Sequence, residues 1–169
     1  MTISMYQASA ATFIHKLSNL AAILEKAAAH AEAKGFDGRV LVNSRLFPDM
    51  LPLSSQIQIA TDGVKGGVAR LAGQQPPKYE DNEGTLPELV ERVRKTIAYI
   101  KTFTPEQIDG SEERAITLQV GKHTLHFAGL PYLLDFVTPN FYFHITTAYN
   151  ILRHNGVEIG KRDYLGEIQ

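Results

Sequence analysis

The stretch PNFYFHITTAYNILRHN, residues 139–155, reads as an amphipathic helix. Phe141, Ile145, Ala148, Ile151 and Leu152 recur at the three- and four-residue spacings that bring side chains onto one helical face. His144 falls on that same inward stripe, so it must find a hydrogen-bond partner or line a cavity. The helix is expected to begin around Leu130-Pro131 and to meet Pro139, whose ring and missing N–H should kink or split it, with Thr138 as a fresh cap. Gly156 ends it.

Three further segments carry the same period. The first opens at Ser4, with Gln7 at the capping-box distance, and runs along Tyr6, Ala10, Phe13, Ile14, Leu17, Ala21, Leu24 and Ala28 to Gly35. A connection with a short turn around Ser44 to Phe47 leads to the second, expected to start near Asp49 with Pro52 in its first turn. Its stripe is Leu53, Ile57, Ala60, Val64, Val68 and Leu71, and Gln56 sits beside it as a second inward polar residue. Gly63, Gly66 and Gly67 each cost this helix roughly 1 kcal/mol against alanine. Gly63 and Gly67 lie one turn apart, which marks either close approach of another helix or local looseness.

Residues 74–84 are polar and proline-rich, without period, and read as a loop. Thr85 and Glu88 form the next capping box and open a third helix along Leu89, Val90, Val93, Ile97 and Ile100. Thr104-Pro105 opens a short helical turn. The period then switches to two. Ile116, Leu118 and Val120, then Gly121-Lys122, then His123, Leu125 and Phe127 predict a hairpin with a type II′ turn. Its register pairs Val120 with His123, Leu118 with Leu125 and Ile116 with Phe127, all on one face that should lie on the helices. The tail from Val157 to Gln169 is short and mixed, expected to pack loosely or to pair with a partner. The fold class is therefore all-α, four helices with a small β-hairpin between the third and fourth, in a single domain over residues 1–169.

Bulk properties narrow the function. The chain of 169 residues has no cysteine, which removes disulfides, thiolate nucleophiles and cysteine-ligated metals. Its net charge is −1 with pI near 6.6, and lysine and arginine do not cluster, so no nucleic-acid partner is expected. No apolar run approaches the roughly 18–20 residues of a membrane span, and the amino terminus lacks the basic start of a signal peptide. A cytoplasmic protein is the expectation.

The six histidines form no metal motif. His123 and His126 fall on opposite faces of a strand. His144 and His154 are roughly 15 Å apart along one helix. His15 and His30 are expected to be solvated. The candidate ligand-binding residues are Gln56 and His144 with Asn140 and Asp62, for a small molecule and without a cofactor. Satisfied core polar groups holding helix register are the alternative reading of Gln56 and His144. Asp62 and Lys65 are also spaced for an ion pair along the helix. Tyr142, Tyr149 and Arg153 make a second stripe on the fourth helix, suited to an interface or to a packed side face.

These motifs together resemble a known family. The pieces are Pro139-Asn140-Phe141-Tyr142-Phe143-His144, Thr146-Thr147-Ala148-Tyr149, Leu152-Arg153-His154-Asn155-Gly156, Leu46-Phe47-Pro48-Asp49-Met50, Gln56, Ala69-Arg70-Leu71-Ala72-Gly73 and Gly160-Lys161-Arg162-Asp163. The chain resembles, over essentially its whole length, the domain-of-unknown-function family numbered nineteen ninety-three, grouped with the DinB-like (YfiT-like) helical bundles. The resemblance implies an up-down-down-up four-helix bundle, often a homodimer, in bacteria. The wider superfamily implies a divalent-metal site of three histidines, one on helix two and a His-x-x-x-His pair on helix four, and in some members a thiol-dependent transferase or hydrolase. Only His144 matches that pattern: helix two, from Leu53 to Leu71, holds no histidine, and positions 140 and 148 are Asn140 and Ala148. Asp62 or Gln56 as oxygen ligands would be the divergent alternative.

Overall fold

The computed structural model describes residues 3–167, so the last two residues of the tail, like the first two of the chain, lie outside the described residues. The chain is mostly helical, with one two-stranded antiparallel sheet. Both halves of the Ser4 capping box form: Gln7 N–H donates to Ser4 Oγ and Ser4 N–H to Gln7 Oε1, each at 3.2 Å. The helix then passes through a π-helical turn, Gln7–Ala11, into α1 (Thr12–Lys34), and Gly35 closes it in the left-handed conformation at φ 71°.

The next connection departs from expectation. A short helix, α2 (Arg39–Val42), forms where an irregular segment was expected, opened by Asp37, which accepts the Arg39 N–H at 2.9 Å. Helix α3 (Leu53–Leu71) starts four residues later than the predicted Asp49. Pro52 is its extended N-cap, at φ −70° and ψ 168°, rather than part of the first turn. A proline disfavours helical geometry in the residue before it, so Leu51 could not belong to the helix.

The loop over residues 74–84 leads to α4 (Leu86–Ile100), whose Thr85–Glu88 box is complete, and then to α5 (Pro105–Ile108). Strands β1 (Ile116–Val120) and β2 (His123–Phe127) pair in the predicted register. Gly121, at φ 58°, occupies the position where a type II′ turn needs a positive angle. The predicted face packs down from the base to the middle of the hairpin: Ile116 is buried and Leu118 and Phe127 are partly buried against the core, whereas Val120 at the tip is 44% exposed.

Pro139 does not split the last long helix. From α6 (Gly129–Pro131) the chain runs through a π-helical stretch, Tyr132–Val137, directly into α7 (Thr138–His154). The wider turns take up the register ahead of a residue that has no N–H to offer. Thr138 is itself helical rather than a cap, and its hydroxyl is buried without a partner.

Nor is the tail loose. Val157 and Ile159 are buried, and α8 (Lys161–Leu165) lies on α1. Lys26 pairs with Asp163 at 2.6 Å, and the Leu165 carbonyl accepts from Lys16 and meets His15 Nε2, each at 3.1 Å. His15 is thus engaged rather than merely solvated, and His30 is half-buried with its ring edge-on to Phe36.

Helix α1 packs on α4, and α3 packs on both α4 and α7. Their apolar stripes meet in one contiguous core, with Phe13 and Phe141 edge to face at 5.2 Å. Among the described residues no helix is long and apolar enough to cross a membrane.

The α3 glycines divide between the two readings. A Cβ on Gly67 would meet Val137 Cγ1 at 2.7 Å, so this glycine permits the π-helical stretch to approach. A Cβ on Gly63 would meet nothing within 4 Å. Gly63→Ala is therefore expected to stabilise by about 0.5–1 kcal/mol, and Gly67→Ala to destabilise by about 1–3 kcal/mol. Chemical denaturation of the two variants checks the opposite signs.

Candidate functional site

Gln56 is 2% exposed, on the first turns of α3. A carboxamide buried there must satisfy both its ends. Its Nε2 donates to the Leu51 carbonyl at 3.0 Å, and its Oε1 meets His144 Nδ1 at 2.7 Å. Flipping the amide would set its oxygen against the Leu51 carbonyl, so the orientation is fixed. Gln56 Oε1 can only accept, and His144 Nδ1 must therefore carry the proton. Nε2 is left with its lone pair.

His144 is half-buried, and burial lowers its pKa from the ordinary 6.5. It is a neutral imidazole near pH 7, with Nε2 as an acceptor or base. Phe143, 56% exposed, sets its ring edge-on to the imidazole at 5.2 Å, and Leu51 is 45% exposed. The result is a polar point beside two exposed apolar side chains. Where an interhelical pocket was expected, the Gln56 and His144 side chains close on each other at 2.7 Å. The larger grooves lie elsewhere, and neither residue lines them.

A glutamine that orients a histidine with Nε2 free resembles the outer support of a metal ligand. The residues nevertheless do not fit a metal. Gln56 Oε1 is already committed to His144, and among the described residues no three histidine or carboxylate side chains are placed to hold an ion.

The other candidates separate. Asn140 lies one turn before His144, but its Nδ2 donates back to the Phe136 carbonyl at 2.6 Å. Asp62 belongs to a different cluster, bonded to Lys65 at 2.6 Å and 3.1 Å from Arg92 Nη2. Tyr149 is covered by the chain's own α8, its ring edge-on to Tyr164 at 5.9 Å, so it does not present a free interface. Tyr142 is half-buried beside it on α7, and Arg153 is exposed.

Arg92 is what sequence reasoning missed. It is 3% exposed on α4 and holds the loop 74–84 against α3. Its Nε donates to Thr61 Oγ1 at 2.8 Å, and its Nη1 to the Glu80 carbonyl and Glu83 carboxylate, each at 2.9 Å. Nη2 lies 3.1 Å from Asp62 and 3.0 Å from Asp81, with neither carboxylate in line for a hydrogen bond. Tyr79 sits between two ammonium groups, Lys65 at 3.6 Å and Lys95 at 4.2 Å from its ring centre. Burial lowers the Lys65 pKa, and Asp62 opposes that shift. The signal available in the sequence was Glu80, Asp81 and Glu83 in the loop, with one arginine between Val90 and Val93. The loop and α4 flank a groove of about 590 Å³ whose charges are of both signs.

Comparison with known proteins gives the relationship. Residues 5–165 match the family described as Domain of unknown function (DUF1993). No curated protein matches the chain. The crystal structure of a DinB family member from Shewanella denitrificans superposes with a TM-score of 0.87 at 44% identity, covering 96% of this chain and 92% of that one. The chain belongs to the DUF1993 family, among the DinB-like helical proteins.

Proposed function

We propose that the chain is a metal-free, small-molecule-binding helical protein whose ligand-recognising atom is His144 Nε2. The observation that carries this reading is the 2.7 Å contact between His144 Nδ1 and Gln56 Oε1, with the amide anchored on Leu51. It supplies a neutral, oriented imidazole with one acceptor lone pair, at a surface where Phe143 and Leu51 offer apolar contact. A ligand that suits it has one hydrogen-bond donor next to an apolar or aromatic body. The site is an open surface point, not an enclosed interhelical pocket. In the same reading the chain is one DinB-like domain with its long helices running up-down-down-up; the packing of α3 on α4 and α7, and of α1 on α4, supports that arrangement.

Two measurements test the role of His144. The folded state disfavours protonation of this ring, so below about pH 6.5 the unfolded chain binds the extra proton and stability falls with pH. Between about pH 7.5 and pH 5 the Tm of the wild type should drop further than that of His144→Gln. Equal slopes would contradict a buried neutral imidazole.

Phenol, an O–H donor on an aromatic ring, is a suitable probe of the surface. Its titration into isotope-labelled protein should give saturable NMR shifts centred on His144, Phe143 and Leu51, which His144→Phe abolishes. Shifts scattered over the surface, or unchanged in the variant, would refute the proposal.

A further inference from the structure

Arg70 is the last residue but one of α3, in the Ala69–Gly73 stretch that the His144 site leaves unused. Its guanidinium folds back over Gly66, with Nη1 against the position a Cβ would take, and Nη1 donates to the Tyr132 hydroxyl at 3.2 Å. Arg114 lies just before β1, and its guanidinium covers Gly73, with Nη1 against the position a Cβ would take. Gly73 is also at φ 72°, which disfavours any side chain. Each guanidinium thus lies directly over the backbone of a glycine.

Both arginines line a cleft of about 240 Å³, together with Gln74, Gln75 and Thr117. Its polar side chains are guanidinium, amide and hydroxyl groups, with no carboxylate in the lining. Three arginines elsewhere are neutralised: Arg39 pairs with Asp37, Arg94 with Glu25 and Glu91, and Arg92 with three acidic residues; Arg45, Arg153 and Arg162 carry no ion pair among the described residues. Among the described residues, neither Arg70 nor Arg114 has an ion-pair partner. Two guanidiniums thus line one cleft that supplies no counter-charge, and the guanidinium fork matches the oxygens of carboxylate and phosphate. The volume is below that of a drug-sized pocket and suits a compact group.

We propose that this cleft binds a compact oxyanion, a phosphate or carboxylate group held between the Arg70 and Arg114 guanidiniums. It does not depend on the His144 reading.

Titrations of isotope-labelled protein with sodium phosphate and, separately, sodium malonate at constant ionic strength test the site. The expected result is a saturable shift at Gly73, Arg114 and Thr117 with at least one anion, and which anion responds distinguishes phosphoryl from carboxylate recognition. Arg114→Gln, at an exposed position that should leave the fold intact, is expected to weaken binding about tenfold or more. Arg153→Gln, an exposed arginine on α7, should leave it within about twofold. Thermal melts confirm that both variants are folded. No saturable shift with either anion, or equal losses in the two variants, would overturn the proposal.

Discussion

The buried carboxamide of Gln56 is the constraint on which the candidate site depends. An amide removed from water costs on the order of 1–3 kcal/mol if left unpaired, so both ends must be met by the protein. The two partners come from different places: Leu51, in the connection before α3, and His144, in the middle of α7. One side chain thus sets the entry into α3, the pairing of α3 with α7 and the tautomer of a half-buried histidine. A leucine at this position could fill the space but could orient nothing.

Arg92 imposes a second constraint of the same kind on the opposite face of α3. A loop with no period and several prolines has little apolar surface with which to order itself. It is ordered here because a buried guanidinium requires its partners, and the loop supplies the Glu80 carbonyl and the Asp81 and Glu83 carboxylates. Losing a partner of Arg92 is costly because the guanidinium stays buried with fewer acceptors. Two buried polar centres thus flank an apolar core, one fixing the helix pair α3 and α7, the other fixing the loop against α3 and α4.

What the sequence made legible was local. The apolar stripes gave the four long helices, Ser4–Gln7 and Thr85–Glu88 gave two boundaries, and Gly121 with its flanking alternation gave the hairpin register residue by residue. These features rest on spacings within a few residues. The late start of α3 and the π-helical stretch before Pro139 follow from prolines, local signals that a search for apolar period passes over, whereas the order of the tail and the Arg92 cluster rest on contacts between distant segments. The site was half legible. His144 and Gln56 stood out as polar residues on apolar stripes, but whether they faced a cavity or each other depended on how α3 meets α7. Asp62 lies six residues beyond Gln56 on α3, turned toward Arg92, and Tyr149 is covered by a helix that the tail did not announce.

On the second long helix Gln56 holds His144 through its carboxamide oxygen. The central claim, that Gln56 fixes the tautomer of His144, is tested most directly by long-range proton–nitrogen NMR correlation on histidine-labelled protein near pH 7.5. The account predicts a neutral ring with the proton on Nδ1 and an unprotonated Nε2. A proton on Nε2 at that pH would contradict it.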